Sequence, residues 1–577
     1  MNQDVAAENA SPGEPPRGDI SPRQTSDTRV QHNLRVPMRD GVELSLDLIR
    51  PDIEGPLPVV LVRTPYDKVM ERTGKDFYEK LAQRGYIVAV QDVRGRFNSD
   101  GEFFPYFNEH DDGYDTVEWI AAQDWCDGNV GMTGGSYVGQ TPWFAASRRP
   151  PHLKAIAPIV SPPGTLWRNE PIYGGAFLLG LGEWLVGMGL RSWQVGDFMS
   201  IFSEQQDYFE ALPLASLPER AGTTSTWWPE MMKHPTFDDF WKRGSYDNWS
   251  EIAAPALNIT GWWDMNFPGA PLNFESMRRE GATPESRDGQ KLVIGPWPHW
   301  VNKHRSRNDV DFGEHAVIEL DDYITRFFDR WLKGMRNGLD DEKPVYVFVL
   351  GANEWWAEDA WPLDGTEQVP FYLHSGGAAN SLKGDGGLST AEPAAEPADE
   401  YRYDPADPVR ILWGLHDGPV DDRLPSTRDD VLCYTSAELT EPLDVVGWVT
   451  MRLWASSSAL DTDWHARLVD VYPDGSARFL CHGVLRARFR DSLEQPTLLE
   501  PARPYLFEFT MNATGNRFLP GHRIRLELTS SWFTQYDRNT NSGADNPFLD
   551  DQLVVAEQTV FHDAERASHV LLPVIRR

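Results

Sequence analysis

The sequence predicts a mainly parallel α/β core, a helical insertion and a C-terminal all-β domain. Short runs rich in Val, Ile and Leu alternate with helical stretches over residues 30–160 and 251–356, a pattern typical of a buried parallel sheet covered by helices. Residues 161–250 interrupt this alternation, and residues 357–577 contain short strands separated by turn signals. At 577 residues the chain is too long for one hydrophobic core, so several domains are expected.

Composition narrows the class of protein. Lys and Arg number 54 against 87 Asp and Glu, which gives a formal net charge of −33. This acid excess argues against nucleic acids and anionic membranes as partners, because both require a basic face. Three scattered cysteines without a CxxC spacing suggest neither a zinc site nor a redox motif, and they fit a reducing compartment. We therefore expect a soluble cytoplasmic protein that uses no metal or organic cofactor.

The N-terminal stretch, residues 1–29, differs from the rest of the chain. It is rich in Pro, Gly, Ser and charged residues, and it lacks the apolar segment of a secretory signal. This composition predicts a disordered tail.

Six apolar runs predict the strands of the core sheet. Residues 76–85 and 113–125 have helical spacing between these runs. Residues 321–338 place apolar side chains at every third or fourth position, which predicts an amphipathic helix facing the core. The six runs are LPVVLVRT (57–64), YIVAVQD (86–92), NVGMTGG (129–135), LKAIAPIV (153–160), ALNITGWW (256–263) and KLVIGPWP (291–298).

The insertion and the C-terminal domain are predicted from their residue composition and periodicity. Residues 174–190 and 197–212 have helical character and many large apolar side chains, so residues 161–250 are expected to form a cap over the sheet edge. Beyond residue 357, strands such as 523–528 alternate charged with apolar residues. This alternation indicates half-buried strands and predicts an all-β domain, either a sandwich or a jelly roll.

Ser136 occupies the most informative turn of the sequence. It follows a short strand and precedes a predicted helix, with glycines on both sides, which is the context of a nucleophile elbow. A Cβ at Gly134 or Gly139 is expected to collide with neighbouring backbone in so tight a turn. The second glycine lies one position later than in the common G-x-S-x-G pattern, so the motif alone leaves an ordinary glycine turn open.

Two later residues provide what a serine nucleophile requires. A serine hydroxyl needs a general base, and the base needs an orienting carboxylate. Asp264 follows the strand ending at residue 263, and His299 follows the strand ending at residue 298. Since the ends of parallel strands meet at one edge of a sheet, Ser136, Asp264 and His299 are predicted to form a catalytic triad. Asp92 also follows a strand, but it precedes Ser136 and is interpreted as structural.

Acyl transfer also requires donors for an oxyanion. The backbone N–H of Tyr137 is the first candidate, because it follows the nucleophile. The loop after an early strand contains Tyr66, whose hydroxyl is the second candidate. The residues leave open whether Tyr66 donates this hydroxyl or only packs its ring.

The motifs RTPYDK, QDVRGRFNSDGEF, GGSYVGQTPW, ITGWWD and LVIGPWPH together resemble the CocE/NonD hydrolase family. That family includes bacterial cocaine esterase, α-amino-acid ester hydrolases, cephalosporin acylases and Xaa-Pro dipeptidyl-peptidases. The resemblance covers nearly the whole chain after the tail. It implies an α/β-hydrolase core, a helical cap and a C-terminal jelly roll. It also implies a triad of Ser136, Asp264 and His299, with oxyanion donors at the Tyr66 hydroxyl and the Tyr137 amide.

The sequence departs from the amino-acid ester hydrolases of that family directly after Asp264. Those enzymes hold a substrate ammonium with carboxylates there, whereas this chain has Met265, Asn266 and Phe267. We therefore expect an apolar acyl pocket, lined by Phe267 together with Trp184 and Ile172 of the cap. The residues leave open whether Trp184 is instead an ordinary tryptophan of the cap core.

The predicted function is hydrolysis of small-molecule carboxylic esters or amides through an acyl-enzyme. A first alternative is an aminoacyl hydrolase or dipeptidyl-peptidase, with a cap carboxylate from Glu170, Glu183 or Glu204 binding the substrate amine. A second is an inert ligand-binding protein, and a homodimer is left open. No nucleic acid or membrane partner is expected.

Overall fold

The core of the molecule is a ten-stranded, mainly parallel sheet. The computed structural model describes residues 13–192, 209–411, 418–419, 421, 423 and 425–577. The strand order in the sheet is β1-β2-β4-β3-β5-β6-β9-β10-β13-β14, and antiparallel pairs lie at both edges. These strands are β1 (Thr28–Pro37), β2 (Glu43–Pro51), β3 (Leu57–Thr64), β4 (Ile87–Asp92), β5 (Cys126–Gly135), β6 (Leu153–Ile159), β9 (Leu257–Trp263), β10 (Lys291–Pro298), β13 (Val345–Val349) and β14 (Glu354–Glu358). Two short hairpins, β7–β8 (Ile172–Tyr173 and Ala176–Phe177) and β11–β12 (Ser306–Arg307 and Val310–Asp311), lie outside it.

Helices cover the core sheet, as the alternation of the sequence predicts. The predicted amphipathic helix of residues 321–338 is present as α11 (Leu320–Leu332), which ends six residues earlier than predicted. It packs on β5 and β6 and buries Phe327 and Phe328 completely. The helices of the core are α1 (Lys68–Thr73), α2 (Asp76–Gln83), α3 (Glu109–Ala121), α4 (Tyr137–Ser147), α9 (Gly269–Glu280), α10 (Pro284–Asp288) and α11 (Leu320–Leu332). The predicted core boundary at residue 356 falls inside β14, because that strand still pairs with β13.

The N-terminal segment departs from the predicted disordered tail. Its described part, residues 13–27, lies along the core, and the buried Ser21 N–H donates to Asp329 Oδ2 at 2.6 Å. Lys333 Nζ donates to Ser21 Oγ at 2.8 Å. The physical reason is that α11 presents buried polar side chains, which need the backbone groups that this segment supplies. Composition alone does not reveal such a docking surface.

The cap is built from short helices and one hairpin. The predicted helix of residues 174–190 begins only at residue 179, because residues 172–177 form the β7–β8 hairpin. Residues 193–208, which include most of the second predicted helix (197–212), lie outside the described residues. The cap helices are α5 (Leu179–Gly187), α6 (Leu217–Arg220), α7 (Trp228–Met231) and α8 (Asp239–Arg243).

The C-terminal domain is all β, as predicted. Its strands are joined into one eleven-stranded sheet system, and it packs against the core partly through Trp448, whose indole N–H donates to Glu275 of α9 at 2.7 Å. Its strands are β15 (Glu367–His374), β16 (Gly387–Ser389), β17 (Asp399–Tyr403), β18 (Leu432–Ser436), β19 (Leu443–Ser457), β20 (Asp463–Val471), β21 (Ala477–Arg486), β22 (Tyr505–Phe518), β23 (Arg523–Thr529), β24 (Ala556–Phe561) and β25 (His569–Ile575).

One charged position of β23 does not face solvent. Glu527 is 2% exposed and forms an ion pair with Arg467 of β20 at 2.8 Å. The alternating pattern therefore predicted the strand but not the buried ion pair that this carboxylate forms. In the part of the chain that the structure describes, no helix has the length and apolar character needed to cross a membrane.

Candidate active site

Ser136 lies on a strained turn between β5 and α4. Its backbone has φ 62° and ψ −131°, a conformation that costs a non-glycine residue roughly 1–3 kcal/mol. A Cβ at Gly134 would lie 2.7 Å from Val138 O, and one at Gly139 would lie 2.6 Å from Ile159 O. Both glycines are thus required by close backbone approach, as the sequence predicts. The turn places Ser136 between the end of β5 and the first residue of α4.

Asp264 and His299 meet at the same edge of the sheet. Parallel pairing of β9 with β10 brings the ends of these strands together. His299 Nδ1 lies 2.7 Å from Asp264 Oδ1, and the Asp264 side chain is fully buried. Asp264 also accepts hydrogen bonds from Thr260 Oγ1 at 2.9 Å and from the Asn266 N–H at 3.1 Å. The carboxylate is therefore held in place and directs His299 Nε2 away from it.

The Tyr66 hydroxyl lies beside the candidate nucleophile. It is a hydrogen-bond partner of the Ser136 side chain, and it accepts the indole N–H of Trp184 at 2.9 Å. Burial raises the pKa of this hydroxyl well above its ordinary value, so it keeps its proton. The Tyr137 amide is the first N–H of α4, and such groups have no acceptor within their helix. Two donors are thus available near Ser136.

A buried network of polar side chains holds Tyr137, the residue that follows Ser136. The sequence did not predict this network. The Tyr137 hydroxyl donates to Glu109 Oε1 at 2.9 Å, and Glu109 Oε2 pairs with Arg63 Nη1 at 2.6 Å. The Tyr106 N–H donates to the Tyr137 oxygen at 3.0 Å. Burial raises the pKa of Glu109, while Arg63 opposes this rise. No local pattern marks these residues, because they come from a strand, a loop and two helices.

Glu170 is a buried carboxyl of the cap that lies close to the proposed triad. Its residue is 6% exposed, and it interacts electrostatically with both His299 and Asp264. Burial raises its pKa to about 8, so at neutral pH the carboxyl is mainly protonated. Of the other two cap candidates, Glu204 and the side chain of Glu183 lie outside the described part of the structure.

The three predicted pocket residues occupy different surroundings. Trp184 stacks on Tyr137 with ring centroids 5.4 Å apart. Ile172 is fully buried in the β7–β8 hairpin of the cap. Phe267 is 2% exposed and packs against Trp262 and Trp448, at the contact with the C-terminal domain. Trp184 is thus the pocket candidate in direct contact with the proposed oxyanion groups.

The chemistry that this arrangement supports is nucleophilic acyl transfer. It contains a serine on an elbow, a histidine bonded to a buried carboxylate, and two donors beside the serine. Among the described residues, no group of three or more His, Cys, Asp or Glu is arranged to hold a metal ion.

Comparison with known families agrees with the two-part layout of the chain. Residues 40–301 match the family described as X-Pro dipeptidyl-peptidase (S15 family). Residues 337–571 match the family described as the X-Pro dipeptidyl-peptidase C-terminal non-catalytic domain.

Relatives align over nearly the full length. Cocaine esterase of Rhodococcus sp. strain MB1 Bresler is 41% identical over 575 residues, covering 95% of this chain and 99% of the relative. Among solved structures, an aminopeptidase from a marine sediment archaeon (Thaumarchaeota archaeon) has a TM-score of 0.84 at 26% identity, covering 97% of this chain and 98% of its own. An α-amino acid ester hydrolase has a TM-score of 0.83 at 27% identity and covers both chains completely.

Proposed function

Because this chain belongs to the CocE/NonD family of serine hydrolases, we propose that it cleaves esters or amides of small molecules with apolar or aromatic acyl groups. The observation that carries the proposal is the 2.7 Å contact between His299 Nδ1 and the buried Asp264, at the sheet edge where Ser136 sits on its elbow. That the chain is a serine hydrolase of esters and amides follows from its relatives. The residue roles and the acyl preference are the proposal.

The proposed reaction has two halves. Ser136 Oγ attacks the carbonyl carbon while His299 Nε2 takes the serine proton, and Asp264 stabilises the imidazolium that forms. The Tyr66 hydroxyl and the Tyr137 N–H donate to the oxyanion. The tetrahedral intermediate collapses as His299 returns the proton to the leaving alcohol or amine. A water molecule, deprotonated by His299, then attacks the acyl carbon. The bond from that carbon to Ser136 Oγ breaks, His299 returns the proton to Ser136, and the acid is released.

The test compares the wild type with Ser136→Ala on a p-nitrophenyl ester of an aromatic acid and on the matching anilide. We expect a burst of nitrophenol from the wild type and a loss of roughly 10⁴-fold or more in kcat for the variant. Ser250→Ala, at an exposed serine of the cap, is the control and should retain full activity. Equal rates for the wild type and Ser136→Ala would refute the mechanism. The anilide rate separates an esterase from an amidase.

One observation favours a second candidate, hydrolysis of aminoacyl or dipeptidyl substrates. Glu170 is a buried carboxyl that interacts electrostatically with His299 and Asp264, and one structural relative is an aminopeptidase. A substrate ammonium beside Glu170 would stabilise its ionised form. The candidate predicts that a free α-amino group raises kcat/KM and that Glu170→Gln removes this gain. Equal rates for free and N-acetylated substrates would eliminate it.

An inert ligand-binding protein is the least supported alternative. Failure of a fluorophosphonate probe to label folded protein at Ser136 would favour it.

We also propose a cytoplasmic location, supported by three buried cysteines that all remain free thiols (Cys126, Cys433 and Cys481). Fractionation of cells that express the protein is the direct test.

A further inference from the structure

Trp184 connects the cap to both proposed oxyanion groups. Its indole N–H donates to the Tyr66 oxygen at 2.9 Å. Its ring stacks on Tyr137 at 5.4 Å with an interplanar angle of 28°, and its edge meets the Tyr66 ring at 6.4 Å and 80°. It is carried by α5, a helix of the cap, whereas Tyr66 and Tyr137 belong to the core. One side chain thus contacts the residues that supply both proposed donors.

The hydrogen bond from Trp184 restricts where the phenol proton of Tyr66 can point. A phenol oxygen has one proton and accepts hydrogen bonds in its remaining lone-pair directions. The C–O–H group prefers the plane of the ring, which leaves two orientations for the proton. An indole N–H can only donate, so the direction it occupies is closed to the phenol proton. The phenol proton therefore takes the orientation that points away from the indole.

The same bond makes Tyr66 a better donor without ionising it. Donation from Trp184 polarises the phenol oxygen, and hydrogen bonds in a chain strengthen one another by roughly 10–30%. The Trp184 bond by itself lowers the pKa of Tyr66. Burial raises this pKa by a larger amount, so the hydroxyl stays protonated. A donor that is oriented before the reaction does not have to reorganise when the oxyanion forms.

We infer that Trp184 is a positioning residue, whose indole N–H orients the Tyr66 hydroxyl toward the oxyanion in addition to any contact with the acyl group. This inference rests on the proposed function. It assigns to the cap a role in transition-state stabilisation, which the expected apolar pocket does not include. An oriented donor acts only on the transition state, so its loss lowers kcat and leaves KM nearly unchanged.

The test is a double-mutant cycle with Trp184→Phe, Tyr66→Phe and the double variant, assayed on a p-nitrophenyl ester. Trp184→Phe keeps an aromatic ring over Tyr137 but loses the N–H. We expect about a tenfold fall in kcat with KM within about threefold, a smaller loss than the 10²–10³-fold for removal of a whole oxyanion donor. In the Tyr66→Phe background, the same substitution should change kcat by less than about threefold, because the hydroxyl that it positions is absent.

A matched control is Trp228→Phe, which removes another cap indole N–H, here one that donates to Ala215 O at 3.1 Å. It should lower stability without the kcat effect of Trp184→Phe. If Trp184→Phe does not fold, 3-benzothienylalanine at position 184 keeps the shape of the indole and replaces N–H by sulfur. The same kcat loss is then expected.

Three results would overturn the inference. A kcat loss of equal size in both backgrounds, or a change confined to KM, would mean that Trp184 acts on the substrate and not through Tyr66. An unaltered kcat for Tyr66→Phe would also reject it, while leaving the serine mechanism intact. Failure of the proposed function is recognised separately, by activity that survives in Ser136→Ala.

Discussion

At the scale of single residues, the candidate site combines a strained backbone conformation with buried ionisable side chains. Ser136 has a positive φ of 62°, and Asp264 is ionisable yet its side chain is fully buried. Glu170 is the clearest case, because burial raises its pKa to about 8 beside the proposed triad. Perturbed groups of this kind concentrate where a fold performs chemistry.

Glu170 makes stability depend on pH. Its pKa in the folded state is above the ordinary value of 4.5. The folded protein therefore binds the extra proton, and this contribution to stability is full below about pH 4.5 and lost as pH rises through about 8. Glu170→Gln removes this dependence. Urea unfolding of both proteins at pH 5 and pH 9 should show the variant gaining on the wild type at pH 9, by an amount on the order of a few kcal/mol. A pH-independent difference would contradict the buried, protonated state.

At the scale of elements, the approach of α4 to β6 determines where Ser136 stands. A Cβ at Gly139 would contact Ile159 O at 2.6 Å and Gly134 O at 2.8 Å, and both of these are backbone atoms that cannot rotate away. The helix and the strand can be this close only because no side chain lies between them. The elbow and the sheet edge are therefore a single structural unit.

Gly139→Ala should separate α4 from β6. We expect a destabilisation of about 1–3 kcal/mol from overpacking, together with a marked fall in kcat/KM because Ser136 shifts relative to His299. Gly182→Ala is the matched control, since Gly182 also lies in a helix and its added Cβ would meet only side-chain atoms at 3.7 Å. That variant should be neutral or stabilised by up to about 1 kcal/mol. Chemical denaturation and ester hydrolysis measure both effects, and equal behaviour of the two variants would refute the argument.

At the scale of the whole molecule, the C-terminal domain holds the cap in position. Asp537 Oδ1 accepts the N–H of Phe177 in the cap hairpin at 2.6 Å and pairs with the buried Arg486 at 3.0 Å. Burial raises the pKa of Asp537 to about 6, and Arg486 opposes this rise. Because the same cap carries Trp184, this contact links a domain outside the core to the proposed oxyanion groups.

Asp537→Ala should loosen the cap. It leaves the Phe177 N–H without its acceptor and removes one partner of a buried cation, so we expect a loss of roughly 3 kcal/mol in the free energy of unfolding. Activity should also fall, mainly in kcat, if the position of the cap orients Tyr66 through Trp184. The exposed Asp545 of the same region provides the control, and Asp545→Ala should change stability by less than about 0.5 kcal/mol. Full activity in a destabilised Asp537→Ala would show that catalysis does not depend on this contact between the cap and the C-terminal domain.

Local pattern and chain order were enough to predict the proposed nucleophile and its two proposed partners. Ser136 could be found because a strand, a glycine turn and a helix follow one another, and Asp264 and His299 because each directly follows a buried strand. Parallel strands end at one sheet edge, so position along the chain predicts proximity there.

Features that depend on contact between segments far apart in the sequence could be seen only in the folded structure. The Trp184–Tyr66 bond joins residues 118 positions apart, and the Ser21–Asp329 bond joins residues 308 apart. Alternation predicts a half-buried strand at Glu527, but only the folded chain shows that Arg467 of another strand pairs with this buried carboxylate. Long-range pairs of this kind leave no periodic signal, because the free energy of burying a polar group depends on a partner that only the folded chain brings within reach.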